Sequence, residues 1–226
     1  MIPIGDTTNV KLQEYVHGLG KTYFAPHDSE HGAVVAAQAV IAAHGGRLLY
    51  LSHGGTRNIS FKLKGVVYQF DPNRMFSPAG AAASMKAQSR GRFSQDALSA
   101  VNAFAKHVLA LIETTQIVVG VHTNVNGYSI LDYLPGGTYA SAAVPGSVLL
   151  RDAANPGNFF YTTTQQLYQA IASKTKYNVM LQAAGAPDDG SLSVWCANRG
   201  VPYVNCEVRA GHVGAQEAML NFLATL

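Results

Sequence analysis

Tyr23-Phe24-Ala25-Pro26-His27-Asp28-Ser29-Glu30-His31-Gly32 joins a short apolar segment to the Ala/Val-rich run Gly32–His44, which the pair Gly45-Gly46 closes. An apolar segment of strand length, a proline-marked turn, a run of helical length ended by glycine, and then the apolar Arg47–Ser52 read as a β-α-β unit. That unit sets the expected fold class: α/β, with a mainly parallel or mixed twisted sheet and helices on both faces. The small side chains of Gly32–His44 suit a helix packed closely on such a sheet. His27 and Glu30 fall in the turn at the strand's carboxyl end, where open α/β sheets bind ligands. A neutral imidazole and a carboxylate three residues apart can there face one metal ion, so both are read as metal ligands.

Downstream, Asn58–Leu63 and Val66–Phe70 flank Lys64-Gly65 and alternate apolar with polar residues, the pattern of a hairpin. Ala81–Ala87 reads as a helix, and Gln95–Thr114 carries Leu98, Val101, Phe104, Ala105, Val108, Leu111 and Ile112 at helical spacing. Ile117–Val121 is a fully apolar strand that ends at His122. Thr123–Pro145, rich in Gly, Asn and Tyr without a period, is expected to be a functional loop. Beyond it, strands are expected at Phe159–Thr162, Tyr177–Gln182 and Val201–Val208, and helices at Thr164–Ser173, Ser191–Asn198 and Val213–Leu226. Upstream, Asn9–Leu19 fits an edge strand or a short helix.

The chain has 226 residues, 48% of them hydrophobic, enough to bury the core of one domain, and neither an internal repeat nor a linker divides it. A formal charge of +3 with 13% charged residues and no basic cluster argues against nucleic acid as a partner. No apolar run approaches the roughly 18 residues that span a bilayer, and the N-terminus lacks the basic-then-apolar pattern of a signal peptide. Few charges with abundant Gly, Ala, Ser and Thr are common in exported bacterial proteins, so a periplasmic or secreted location is expected over a cytoplasmic one. Cys196 and Cys206 fit either one disulfide or two buried thiols, and their spacing matches no zinc-finger pattern.

Polar residues placed on this skeleton suggest chemistry. His27 and Glu30 follow one strand, His122 ends a second and Glu207 lies near the end of a third. A zinc hydrolase needs three protein ligands, an open position for water and a carboxylate that takes a proton from that water. His27, Glu30 and His122 can supply the ligands of one zinc ion, and Glu207 the base. In Asp71-Pro72-Asn73-Arg74, a planar guanidinium beside an amide can grip a substrate carboxylate in two places. Taken singly, His27-x-x-Glu30 would more simply cap a helix and Asn73-Arg74 would be a turn. Glu207 is harder to explain away, because an unpaired carboxylate in an apolar strand costs several kcal/mol. Arg209 is a candidate either for pairing with it or for binding substrate.

Four motifs in order, His27-x-x-Glu30, Asp71-x-Asn73-Arg74, His122 after an apolar strand, and Glu207-Val208-Arg209, together resemble the zinc carboxypeptidase superfamily. That superfamily includes carboxypeptidase A-like peptidases and the aspartoacylase and succinylglutamate desuccinylase branch. The run Asp189–Trp195, followed by Arg199-Gly200-Val201-Pro202-Tyr203, looks like the family's closing helix-strand segment. The resemblance covers residues from about 21 to 212. It implies zinc held by His27, Glu30 and His122, Glu207 as general base, Asn73 and Arg74 on the substrate's terminal carboxylate, and Arg57 aimed at the developing oxyanion. The short stretch between Glu30 and His122 looks more like the aspartoacylase branch, whereas Trp195 to Glu207 looks more like the peptidases. The tyrosine that many carboxypeptidases place over the substrate has four candidates, Tyr128, Tyr133, Tyr168 and Tyr177.

The expected function is therefore zinc-dependent hydrolysis of an amide next to a free carboxylate by a metallocarboxypeptidase. Its substrate would be a peptide, such as a cell-wall stem peptide. One alternative is an amidohydrolase of N-acyl amino acids; another is a metal- or peptide-binding module without catalysis. His27-Asp28-Ser29-Glu30-His31 also fits the H-x-x-E-H motif of inverted zincins, which would make His27 and His31 ligands on a helix and Glu30 the base. Asp28 and His31 are further candidates for orienting the ligands from behind.

Overall fold

The computed structural model describes residues 1–226 except Glu113, Thr115 and Asn126. Among the described residues the strands are β1 (Ile2–Ile4), β2 (Thr8–His17), β3 (Thr22–Ala25), β4 (Gly46–Ser52), β5 (Ile59–Leu63), β6 (Val66–Phe70), β7 (Val118–Asn124), β8 (Phe159–Thr162), β9 (Asn178–Leu181) and β10 (Tyr203–Arg209). Six helices accompany them: α1 (His31–His44), α2 (Pro78–Gln88), α3 (Gln95–Leu109), α4 (Gln165–Lys174), α5 (Leu192–Ala197) and α6 (Val213–Ala224). Eight strands form one mixed sheet in the order β1-β2-β4-β3-β7-β10-β8-β9, and β5 and β6 form a separate hairpin. The α/β class is as the sequence predicts.

The four central strands β4, β3, β7 and β10 run parallel, and antiparallel partners β2 and β8 flank them. From β3 the chain passes through α1 to β4 on one side, while β7 lies on the other side of β3. The carboxyl ends of β3 and β7 thus border a topological switch point, where an α/β sheet leaves a crevice.

Side-chain alternation sorts the two faces. In β10, Val204, Cys206 and Val208 belong to the core that α1, α4 and α6 cover, together with Val119 and Val121 of β7. Tyr203 turns to the opposite face, where α2, α3, α5 and the hairpin cover a second core containing Phe61, Phe70 and Phe104. Small residues on α1, including Ala33, Ala36 and Ala37, are fully buried against the first face. A third, smaller cluster of Ile130, Tyr133, Ala143, Phe159, Tyr161 and Met180 lies under the segment after β7.

Several boundaries differ from expectation for visible reasons. Asn9–Leu19 is strand β2 through His17, antiparallel to β4, and β1 pairs with it as a short strand that the sequence did not announce. Helix α3 ends at Leu109 rather than Thr114; three-residue turns carry Leu111 and Ile112 on, and Ile112 still packs in the same core, so the apolar signal outlasts the helix. Glu113 of that expected helix and Asn126 of the expected loop lie outside the described residues. The expected loop contains two short 3-10 turns, Ile130–Tyr133 and Ala140–Ala142. Cys196 and Cys206 are buried free thiols, not a disulfide. Among the described residues no helix is long and apolar enough to cross a membrane.

Candidate metal centre and its pocket

The turn after β3 is built so that two ligating side chains face the switch point. The amide of Glu30 donates to the carbonyl of His27 at 3.1 Å, folding the pair into one turn before α1 begins at His31. Both side chains are buried. His122 lies within β7, two residues before its end, and its ring is edge-on to that of His27 with centroids 5.1 Å apart. Ligating atoms of His27, Glu30 and His122 all lie within 4.8 Å of one another, so this buried group could hold a metal ion. His31, by contrast, is exposed at the start of α1, and His27 precedes the helix, so the inverted-zincin arrangement is not formed.

The surroundings fix how each ligand presents itself. His27 Nε2 is 2.8 Å from Asp71 Oδ1. Asp71 is held below the usual carboxylate range, since His27 and Arg57 outweigh the burial that would raise it. An ionised Asp71 accepts, so Nε2 carries a proton and Nδ1 is the nitrogen left for a metal. Nδ1 lies 2.8 Å from Glu30 Oε1, a separation bridged by a proton or a cation; burial would lower the imidazole, but Glu30 and Asp71 raise it above its ordinary range in the metal-free chain. A buried ring nitrogen aimed at a carboxylate and a second imidazole is a position where a metal ion can take the place of that proton. Burial alone would raise Glu30, but His27 and His122 hold its carboxyl well below the usual range, so it is an anion there. Its Oε2 accepts the amide of Thr123 at 2.9 Å and lies 3.3 Å from His122 Nδ1.

Glu207 pairs with His122 in the parallel register of β10 and β7, so the two side chains emerge side by side on one face. It is buried and accepts from Asn205 Nδ2 at 3.0 Å and Asn124 Nδ2 at 3.4 Å. Burial raises its carboxyl above the ordinary range and the nearby His122 only partly offsets this. Two neutral amides thus support it.

A cavity of about 550 Å³ opens over these residues, lined by Glu30, Arg57, Asn73, Arg74, His122 and Glu207. The proposed ligands, base and clamp residues thus meet in one place, with His27 just behind the wall. Arg57, its side chain half exposed, reaches Glu30 Oε1 at 2.7 Å and Asp71 Oδ2 at 3.2 Å. Asn73 Oδ1 accepts the amide of Leu192 at 3.2 Å, which leaves its NH2 as the half available to a ligand. Arg74 Nη1 donates to the carbonyl of Asn73 at 2.9 Å and lies 3.4 Å from Asp189 Oδ2. This corner needs two glycines: a Cβ on Gly80 would sit 2.3 Å from Gly190 Cα, and Gly190, at φ +76°, lies against the Arg74 carbonyl.

No protein-family model and no curated protein matches the chain. Its chemistry rests on the geometry alone. Three residues that matter to that geometry had no assigned role in the sequence reading: Asp71, which sets the His27 tautomer, and Asn124 and Asn205, which hold Glu207. Asp71 was visible within its motif, but nothing in sequence ties it to His27. Asp28, expected behind the ligands, instead accepts the amides of His53 at 2.6 Å and Gly55 at 2.7 Å. Of the four candidate tyrosines, Tyr128 and Tyr133 line the cavity with their hydroxyls 2.5 Å apart, whereas Tyr168 and Tyr177 are partly buried against the core on the opposite face of the sheet.

Proposed function

We propose that the chain is a zinc-dependent hydrolase that cleaves an amide bond next to a free carboxylate, most simply a metallocarboxypeptidase of the zinc carboxypeptidase type. One observation carries this reading. Glu30 and His122 of a buried His-Glu-His group, a buried carboxylate with a raised pKa and an Asn-Arg pair, drawn from four separate stretches of chain, line one cavity, with His27 directly behind its wall. The donor set of two imidazoles and one carboxylate suits zinc, leaving a fourth position open. When bound, zinc supplies a Lewis acid and lowers the pKa of water.

The chain's own residues would do the rest. Glu207, supported by Asn205 and Asn124, takes the proton from the attacking water and delivers it to the leaving nitrogen, giving an acid and an amine. The NH2 of Asn73 and the guanidinium of Arg74 hold the free carboxylate of the released residue. Arg57, braced on Glu30 and Asp71, is the cation for the developing oxyanion.

A peptide is favoured over an N-acyl amino acid by a second cavity of about 200 Å³ that adjoins the first, with Asn124, Val125 and Tyr128 in the walls of both. The test is hydrolysis by the zinc-loaded protein of N-acyl dipeptides with free and amidated C-termini. The proposal expects cleavage of the free acids only, reduced about 10²–10⁴-fold by Glu207→Gln. Equal cleavage of the amides would overturn the carboxylate clamp, and retained activity in Glu207→Gln would overturn the mechanism.

A further inference from the structure

The clamp corner contains one charge that carboxylate recognition does not need. Asp188 and Asp189 are adjacent, but Asp188 is tied to Ser77 Oγ at 2.9 Å and the Gly190 amide at 3.0 Å and is not part of the cavity wall. Asp189 is in the wall. Its Oδ1 accepts the Ser191 amide at 2.9 Å, and its Oδ2 makes a single 3.4 Å contact with Arg74 Nη1, the Arg74 and Asp189 side chains being 38% and 47% exposed. This is not the two-pronged pairing by which an arginine and a carboxylate satisfy each other. A carboxylate beside the arginine that is to bind the substrate's carboxylate weakens that binding, unless the substrate brings a positive charge of its own.

The rest of the wall is suited to such a charge. Tyr133, Tyr139 and Tyr161 line the cavity, with the Tyr133 ring 5.7 Å from Tyr139 and 5.6 Å from Tyr161. Aromatic faces attract cations, and tyrosines grouped near a carboxylate are a common way to hold an ammonium. Asp189 lines the same cavity as these rings. Ser191 and Ser193 complete a polar floor.

We propose that this corner recognises a diamino acid on the amine side of the scissile amide: Asn73 and Arg74 take its carboxylate, and Asp189 with the tyrosine wall takes its second, ammonium-bearing end. Each charge then meets its opposite. The inference rests on the hydrolase reading for its biological sense, but the pocket's preference can be measured without turnover.

The experiment is calorimetric titration of the zinc-loaded protein with free lysine and with 2-aminoheptanoic acid, which replaces the side-chain ammonium by a methyl group of similar size. Both enantiomers are used, beside hydrolysis of the matching N-acyl dipeptides. Lysine is expected to bind at least tenfold more tightly, with the difference lost in Asp189→Asn and in Asp189→Ser. Equal binding of the two ligands by the parent, or no lysine binding up to about 10 mM, overturns the inference. A preference that survives both substitutions also overturns it. An Asp189-dependent lysine preference without hydrolysis would leave the pocket assignment standing and count against the hydrolase reading alone.

Discussion

Asp71→Asn is the substitution most revealing of how the centre is built. Asp71 Oδ1 meets His27 Nε2 at 2.8 Å and accepts the Asn73 amide at 2.7 Å, while Oδ2 receives Arg57 at 3.2 Å. An asparagine has one acceptor where three donors converge. With its oxygen toward His27, its NH2 faces the Arg57 guanidinium; turned the other way, its NH2 faces His27 Nε2 and drives the ring proton to Nδ1, the atom meant for the metal. Either arrangement weakens the imidazole as a ligand without changing the volume of the side chain. Substitutions of groups that orient a ligating histidine cost about 10–100-fold in metal affinity. That range corresponds to about 1.4–2.8 kcal/mol. Zinc affinity would be measured by competition with a chromophoric chelator, with the melting temperature of metal-free protein as the control for folding. A variant that binds zinc within twofold of the parent, at unchanged melting temperature, would refute the role given to Asp71.

Glu207 links stability to pH with a definite sign. Its folded carboxyl is raised above the unfolded value, so its contribution is fully present below the unfolded pKa and is lost as pH rises through the folded one. In metal-free protein, Glu207→Gln is therefore expected to melt above the parent at pH 8 and to lose that advantage near pH 4, each kcal/mol appearing as about 2–4 °C. An advantage independent of pH would contradict this. Gly120→Ala would bring a Cβ within 2.0 Å of the Tyr203 hydroxyl, a clash with a fully buried ring, and should cost about 1–3 kcal/mol in urea denaturation. Gln216 Nε2 donates to the carbonyl of His122 at 2.9 Å from the buried face of α6; Gln216→Leu should cost about 1–3 kcal/mol and weaken zinc binding as well. A loss of stability with unchanged zinc affinity would confine Gln216 to the core.

The parts legible in sequence are those that local chemistry punctuates. Pro26 and Gly45-Gly46 bracket the β-α-β unit and Lys64-Gly65 marks the hairpin, whereas the expected helix Ala81–Ala87 in fact runs Pro78–Gln88 because Ser77 caps it with a side-chain acceptor. What was not legible depends on partners far away in the chain. β1 is three residues long and exists because β2 offers it an edge. The segment after β7 has no period because its apolar residues pack on Phe159 and Tyr161 rather than along one face of a helix. In the site, residue types and order pointed to His27, Glu30, His122 and Glu207, whereas the bond from Asp71 to His27 spans 44 positions and the bond from Asn124 to Glu207 spans 83. Asp28 drew attention by adjacency alone, yet its carboxylate faces the amides after β4.

The central claim, that His27, Glu30 and His122 form one zinc centre, is tested most directly by elemental analysis of the purified parent beside His122→Ala after incubation with zinc and removal of excess. The account predicts one zinc per chain in the parent and a loss of that zinc in the variant, which would join the turn after β3 to strand β7 through a single ion. No zinc retained by the parent, or equal zinc in both proteins, would contradict it.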